Sequence, residues 1–183
     1  MSYRRRLMMK EDEIYEPGVV FYKENITLDG TNYIDTGIKL LSRDYDFDID
    51  VKFTNNFTSP NTSAAYLVSL GKSDNAPASP RGVLGFDLHF QDTRVWLRFE
   101  VKGKTGDAKT YNNFNFQSVN RFQIKKRGNS YELYRDNYLM KTHTIEEYGK
   151  VKDTLLIGAR REPNGAISHK YVNTVQYVKI TIV

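Results

Sequence analysis

The chain has 183 residues, a formal net charge of +5 at pH 7, 13 Tyr and 10 Phe, and no cysteine. This length suits one domain with a substantial core, and the many aromatic residues favour strands over helices. Disulfides and thiolate metal sites are excluded, no apolar stretch is long enough to span a bilayer, and the scattered basic excess disfavours nucleic acid as a partner.

Residues 1–17 are predicted to form an N-terminal arm. A basic run is followed by a short apolar one, and the segment closes at Pro17-Gly18 without the periodicity of an amphipathic helix. Arginines beside methionines suit a groove on a protein, because ion pairs then combine with adaptable apolar contacts. The arm is predicted to dock on a partner subunit or on its own domain through Tyr3, Arg4, Arg5, Arg6, Leu7, Met8 and Met9.

In residues 18–183, short extended runs alternate with turns. In Asp44–Phe53 apolar and charged residues alternate strictly, which indicates a strand with one buried face. The predicted extended segments of this first half are Val19–Leu28 as two short pieces, Thr31–Leu41 broken at Gly37, Asp44–Phe53, Ala65–Gly71, Gly82–Phe90 and Arg94–Lys102.

The central stretch Arg121–His143 has the strongest local signal. Three extended runs are separated by two turns of Gly, Asn and Asp, which tolerate positive φ, and this pattern predicts a β-meander. The predicted runs of the second half are Phe122–Lys126, Ser130–Arg135, Tyr138–Thr142, Leu155–Gly158 and Tyr171–Val183, with a loop at Arg160–His169. About a dozen strands without a substantial helix or a linker predict a single all-β sandwich.

Three segments resemble concanavalin A-like and laminin-G-like jelly rolls. FYKENITLDGTNYIDTGIKL followed by DFDIDVKF is similar to the opening turn and alternating strand of that family. IKKRGNSYELYRDNYLMKT resembles its hairpin, and TLLIGAR with VNTVQYVKITIV resembles its closing strands. The resemblance implies a two-sheet antiparallel jelly-roll sandwich of the lectin/glucanase type, with the arm preceding it. A fold of this kind does not by itself imply an activity.

The start of the arm, MSYRRRLMM, resembles small virion and adhesion proteins of phages that infect gut bacteria. This resemblance implies a non-catalytic structural, decoration or adhesion module of a virion, which is the main functional prediction. Its partners would be other virion or structural subunits, or further copies of the chain in a homo-oligomer. The predicted location is the virion, with the bacterial cell surface or the extracellular space as the alternative.

The alternative function is carbohydrate binding by a receptor-recognition domain, and it depends on the strand RVWLRFEVK. Val95 and Leu97 are predicted to face the core, which places Trp96 on the opposite face among polar residues. A Trp in that position can stack on a sugar ring of a cell-surface glycan or anchor a protein interface. The opposing possibility is that a loop such as Gly103–Ser118 covers this face and buries the indole. The candidate ligand-binding residues are Trp96, Arg94, Arg98, Asp87 and His89.

A glycoside hydrolase on the same fold is the third functional prediction. Asp46, Asp48 and Asp50 project from one face of a strand, and two carboxyls about 5–5.5 Å apart would suit retaining hydrolysis. This prediction requires any two of Asp46, Asp48, Asp50 and Glu100 to converge in a cleft. Because the final Glu of the hydrolase motif is missing, a solvated acidic face is preferred, and the protein is predicted not to be an enzyme.

No metal or cofactor is predicted. Calcium prefers clustered oxygen ligands, but the Asp and Asn residues at turns do not form such a loop and are expected to cap their own backbone. These residues are Asp29, Asp35, Asp136 and Asn137. The histidines at positions 89, 143 and 169 lack the spacing of a zinc motif.

Overall fold

The computed structural model describes residues 16–39, 46–54, 61–70, 85–92, 94–100, 107–111, 119–144, 154–161, 165–168 and 171–183. Over these ranges the secondary structure consists of strands, and no helix there is long and apolar enough to cross a membrane. The predicted docking residues Tyr3 to Met9 lie outside the described residues, so the role of the arm stays a prediction.

Fourteen strands make up the described part of the chain. In chain order they are β1 Gly18–Asp29, β2 Ile34–Asp35, β3 Phe47–Thr54, β4 Asn61–Leu70, β5 Gly85–Asp92, β6 Arg94–Glu100, β7 Asp107–Tyr111, β8 Val119–Arg127, β9 Ser130–Arg135, β10 Tyr138–Thr144, β11 Leu156–Ile157, β12 Arg160–Arg161, β13 Ile167–Ser168 and β14 Val172–Ile182.

The strands form two six-stranded sheets and one small hairpin. The first sheet has the order β1-β14-β3-β8-β9-β10, and the second has the order β2-β11-β4-β5-β6-β7. Strands β12 and β13 pair only with each other in the described residues. All the pairings are antiparallel, which confirms the predicted all-β sandwich.

Aromatic rings from both sheets meet in the core. Phe53 of the first sheet lies 5.3 Å from Phe90 of the second, measured between ring centroids, and Phe122 lies 6.4 Å from Phe90. Tyr171 adds a fourth ring at 5.9 Å from Phe90. Tilted and edge-on pairs at these distances are favourable beyond their buried area. The two sheets are therefore joined by a continuous aromatic cluster.

Strand β3 shows why the alternating sequence forms a sheet with one polar face. Its residues alternate along the strand between buried apolar side chains and half-buried polar ones. The outward Asp48 and Asp50 face basic residues of β8, namely Arg127 and Arg121. These two carboxylates on the outer face of β3 are thus each paired with an arginine of the neighbouring strand.

The predicted strand Thr31–Leu41 is much shorter in the structure, where only β2 pairs. Around β2, backbone N–H groups donate to side-chain oxygens instead of to the carbonyl groups of a neighbouring strand. Asp29 Oδ1 accepts a hydrogen bond from the backbone N–H of Thr31 at 2.8 Å, and Asp35 Oδ1 accepts one from that of Gly37 at 3.0 Å. Such local bonds compete with strand pairing and explain the difference.

The structure also contains strands that the sequence did not predict. The predicted loop Arg160–His169 includes the hairpin β12–β13, and the unassigned stretch Gly103–Ser118 includes β7. Two-residue strands are too short to show a period, so alternation could not identify the hairpin.

Irregular pairing marks the two end strands of the first sheet. The register of β1 shifts between Val19 and Phe21, and that of β10 shifts between Leu139 and Lys141. Asn25 in β1 has a φ of 54°, which marks a further irregularity of this strand. Each of these positions locally bends the strand and increases its twist.

Candidate functional site

The predicted ligand-binding residues lie on two neighbouring strands, β5 and β6. The backbone register places Asp87 opposite Arg98 and His89 opposite Trp96, and Arg94 lies opposite Gln91. The backbone thus places all five candidate positions on one hairpin, and their role in ligand binding stays a prediction. The side chains at positions 87, 94 and 98 lie outside the described part of the structure, so their contribution stays a prediction.

Three aromatic side chains form a row across β4, β5 and β6, on the outer face of the second sheet. The ring centroids of Tyr66 and His89 are 4.9 Å apart, and those of His89 and Trp96 are 5.9 Å apart at an interplanar angle of 5°. Tyr66 is only 3% exposed and His89 only 4%, whereas Trp96 is half-buried. This ring row therefore presents Trp96 as its accessible end.

A β-bulge in β4 brings Tyr66 and Ser69 to the same face. The register shifts between Tyr66 and Val68, and Leu67 and Val68 are both fully buried in the core. Residues three apart on a regular strand point to opposite faces, but one extra residue restores the same side. The bulge thus allows β4 to present two polar side chains to the outer face without losing core contacts.

Two residues immediately before the hairpin β12–β13, Gly158 and Ala159, are hydrogen-bonded to β4. Ser69 Oγ donates a hydrogen bond to the carbonyl oxygen of Ala159 at 2.7 Å, and Gly158 N donates one to that of Leu67 at 2.9 Å. Ser69 and Leu156 are 3% and 1% exposed although neither belongs to the core between the sheets. The hairpin segment contacts β4 on this side of the sheet.

Arg160 joins this segment to the ring row. Its Nη1 donates a hydrogen bond to the hydroxyl oxygen of Tyr66 at 2.7 Å, and its guanidinium carbon lies 5.3 Å from the centroid of the Tyr66 ring. This distance falls within the range of a cation–π contact. Among the described residues no carboxylate lies within ion-pair distance of Arg160, whereas its neighbour Arg161 pairs with Asp35 at 3.3 Å.

The indole of Trp96 carries an unsatisfied donor. Its Nε1–H is enclosed and has no hydrogen-bond acceptor within the described residues. Over the described residues, the outer face of the second sheet thus combines a row of rings, a half-buried guanidinium with no carboxylate partner, and an enclosed indole N–H with no acceptor. Such a combination of apolar rings and a few polar groups is typical of binding sites for small ligands.

The acidic side chains proposed for hydrolysis lie on the first sheet instead. Asp50 accepts hydrogen bonds from Arg121 Nε at 2.8 Å and from the Tyr177 hydroxyl at 3.2 Å. The hydrogen bond with Asp50 raises the pKa of Arg121. Burial, reinforced by the charge of Asp50, raises the pKa of Tyr177.

The other two aspartates are also engaged. Asp48 pairs with Arg127 at 2.8 Å, and Asp46 accepts a hydrogen bond from the backbone N–H of Gly128 at 2.7 Å. Glu100, the fourth carboxylate of the hydrolase prediction, belongs to β6 in the second sheet. Glu100 thus belongs to a different sheet from the three aspartates, and Asp48 and Asp50 are each paired with an arginine.

The residues weighed as calcium ligands form local contacts of their own. The hydrogen bond from the Thr31 hydroxyl is the main reason that the pKa of Asp29 is lowered. Asp136 Oδ1 accepts a hydrogen bond from the backbone N–H of Arg121 at 3.1 Å. Over the residues that the structure describes, no three His, Asp or Glu side chains are grouped so that they could hold a metal ion.

Sequence patterns did not identify three residues of this face as candidates, namely Tyr66, Ser69 and Arg160. The bulge hides the shared face of the first two, and Arg160 falls in a predicted loop. The pair Arg160-Arg161 is a visible basic patch, but its contact with Tyr66 spans 94 residues of sequence. Only the tertiary structure could show that the patch lies beside the Trp96 face.

No protein-family model and no curated protein sequence matches the chain. Solved structures with a similar fold include the CBM40 module of a Ruminococcus gnavus IT-sialidase bound to α2,3-sialyllactose. That match has a TM-score of 0.67 and 17% identity, and covers 90% of this chain and 92% of the module. Another solved structure with a similar fold is the NanB sialidase of Streptococcus pneumoniae. That match has a TM-score of 0.68 and 13% identity, and covers 91% of this chain and 27% of the sialidase.

A leech intramolecular trans-sialidase is similar in the same way, with a TM-score of 0.67, 12% identity, and coverage of 91% of this chain and 26% of that enzyme. The chain thus spans about a quarter of the length of the two enzymes and most of the separate module. At these identities the likeness establishes the fold, a jelly-roll β-sandwich. The resemblance of the arm to virion proteins gains no support from it, and virion association stays a prediction.

Proposed function

We propose that this chain is a non-catalytic carbohydrate-binding module whose ligand surface is the outer face of the second sheet. The observation that carries the proposal is the ring row ending at half-buried Trp96, with the guanidinium of Arg160 at its other end. This function is the carbohydrate binding that the sequence suggested as the alternative. The proposed site, however, extends from Trp96 to Tyr66 of β4 and Arg160 of β12.

The ring row suits a sugar because its geometry is set before binding. Tyr66 and His89 are almost fully buried, so they hold the indole of Trp96 in place from one side. A rigid aromatic surface loses little conformational entropy when a ligand binds, and this raises affinity. A sugar ring stacked on the accessible part of Trp96 would bury apolar surface against an indole that is already held in place.

The charge of the site favours a sugar that carries a carboxylate. Arg160 is half-buried and has no acidic partner among the described residues. A planar guanidinium can bind a carboxylate through two parallel hydrogen bonds. The similar Ruminococcus gnavus module is described as bound to α2,3- and α2,6-sialyllactose, which are carboxylated glycans. We therefore propose a sialylated or similarly acidic glycan as the ligand.

The paired state of the acidic row supports a non-catalytic role. Asp46, Asp48 and Asp50 each contact a basic residue or a backbone N–H on the first sheet, away from the ring row. Retaining or inverting hydrolysis needs two carboxyls that face the same substrate bond, whereas these carboxylates face protein partners. We expect no hydrolysis of sialyllactose by the isolated chain.

The single Trp provides a direct test, since all of the tryptophan fluorescence of the protein comes from Trp96. The chain is titrated with α2,3-sialyllactose, α2,6-sialyllactose and lactose. A saturable change in emission with the sialylated sugars, and a weaker one with lactose, is expected. Calorimetry on Trp96→Ala should show no binding, while circular dichroism shows that the sandwich is retained. Tyr134→Phe, on the first sheet, serves as the matched control.

The proposal has a clear contrary outcome. If a folded sample shows neither a change in Trp96 emission nor heat with the sialyllactoses and with a panel of neutral and acidic glycans, carbohydrate binding at this face is refuted. If neutral glycans bind as tightly as acidic ones, the surface is right and the preference for a carboxylate is wrong.

A further inference from the structure

We propose that Tyr66 is a positioning residue that gives the site its preference for a carboxylate by orienting the guanidinium of Arg160. This inference rests on the proposed function and adds to it the residue that sets charge selectivity. Tyr66 is only 3% exposed, so its influence on a ligand must pass through a neighbour.

Two different contacts join the pair. The Tyr66 hydroxyl accepts a hydrogen bond from Arg160 Nη1 at 2.7 Å, and the Tyr66 ring lies beneath the guanidinium, with its centroid 5.3 Å from the guanidinium carbon. The ring contact attracts the cation but allows it to turn, whereas the hydrogen bond defines one direction. Together they determine which N–H groups of Arg160 remain for a ligand.

The backbone on both sides of this contact is anchored as well. On β4, three positions after Tyr66, Ser69 Oγ donates to the carbonyl oxygen of Ala159 at 2.7 Å. Ala159 directly precedes Arg160, so the main chain and the guanidinium are attached to the same strand at two points. The bulge at Leu67 and Val68 makes this possible, because it turns Tyr66 and Ser69 to one face.

The substitution Tyr66→Phe separates the two contacts. It keeps the ring, and with it the tilted contact with His89 and the cation–π contact, and it removes only the hydroxyl that receives the hydrogen bond. Arg160 has no carboxylate in the described residues to replace this partner. The guanidinium should then sample several orientations, and the ligand would bear the entropy of ordering it.

The experiment compares α2,3-sialyllactose with its methyl ester, in which the carboxylate is neutral. In Tyr66→Phe we expect affinity for sialyllactose to fall about tenfold, because a hydrogen bond to a charged group is lost. Affinity for the methyl ester should hardly change. Tyr134→Phe is the matched control, since it removes a hydroxyl that donates to Glu132 at 2.8 Å on the first sheet.

Equal losses for the acid and the ester would show that Tyr66 supports the fold rather than charge selectivity, and would overturn the inference. An unchanged affinity for both would overturn it too. If the wild-type chain binds no glycan, the proposed function fails. The carboxylate preference then fails with it, and whether Tyr66 orients Arg160 is tested separately by NMR of the Arg160 Nε–H group, for which guanidinium rotation should be slow in the wild type and faster in Tyr66→Phe. Equal rotation rates would refute it.

Discussion

Replacing Gly158 by Ala tests how closely the segment before the hairpin β12–β13 packs against Leu28 of the core. Gly158 has a φ of +83°, and its N–H and carbonyl bind Leu67 and Tyr171 respectively. A Cβ added there would lie 2.6 Å from Leu28 Cδ1, which is closer than real Cβ atoms approach. Leu28 is only 2% exposed and packs in the core, so it has little room to move.

Two costs add up in this variant. A left-handed backbone costs an L-residue about 1–2 kcal/mol. Overpacking against a buried side chain costs about 1–3 kcal/mol. The free energy of unfolding should therefore fall by about 2–5 kcal/mol, which for a domain of this size lowers Tm by about 2–4 °C per kcal/mol.

Gly165 provides a matched control because it has nearly the same backbone conformation without the contact. Its φ is +84°, and a Cβ built there has no atom within 4 Å. Gly165→Ala should lose only the backbone contribution, about 1–2 kcal/mol. Urea unfolding followed by Trp96 fluorescence and far-UV circular dichroism measures both variants. Equal losses of stability would refute the proposed contact with Leu28 and show that backbone strain alone decides.

Three further predictions concern the core and the charged face. Phe90→Ala should lower the free energy of unfolding by about 3–5 kcal/mol, measured in urea, because a fully buried ring between the sheets is lost. Asp50→Asn should lower it by about 1–3 kcal/mol, since the charged hydrogen bonds from Arg121 are lost, whereas Asp48→Asn should cost less than about 1 kcal/mol because its ion pair is more exposed. Burial raises the pKa of Tyr171 above its ordinary 10.0, so the folded state keeps the phenol neutral where the unfolded state would ionise it. The free energy of unfolding should therefore decline as the pH rises above 10. Tyr171→Phe should flatten that decline, measured by urea unfolding at several pH values. Equal effects of the two Asp variants, or an unchanged alkaline slope in Tyr171→Phe, would contradict these predictions.

The features that local sequence determines could be predicted. Strict alternation identified β3, and turns of Gly, Asn and Asp identified the β8–β9–β10 meander. Alternation also placed Val95 and Leu97 in the core, and therefore Trp96 on the opposite face of β6. Each of these predictions depends on residues within one hairpin, where side-chain direction has a period of two.

Features that depend on distant partners could not be predicted. Ser69 binds Ala159, 90 residues further along the chain, and nothing near either residue indicates the contact. The bulge in β4 breaks the period of two and hides the shared face of Tyr66 and Ser69. The sequence therefore predicts one part of the candidate site, Trp96 and His89. The other part, Tyr66 with Arg160, depends on how the hairpin β12–β13 packs.

The irregular end strands have a consequence for molecules held close together. In the described sheet, β1 and β10 each have a neighbour on one side only, and an open strand edge invites another chain to pair with it. The register shifts distort the ladder at both edges, and the exposed Lys23 and Lys141 place charge there. At these two edges of the first sheet, copies crowded side by side therefore lack a flat template for strand pairing.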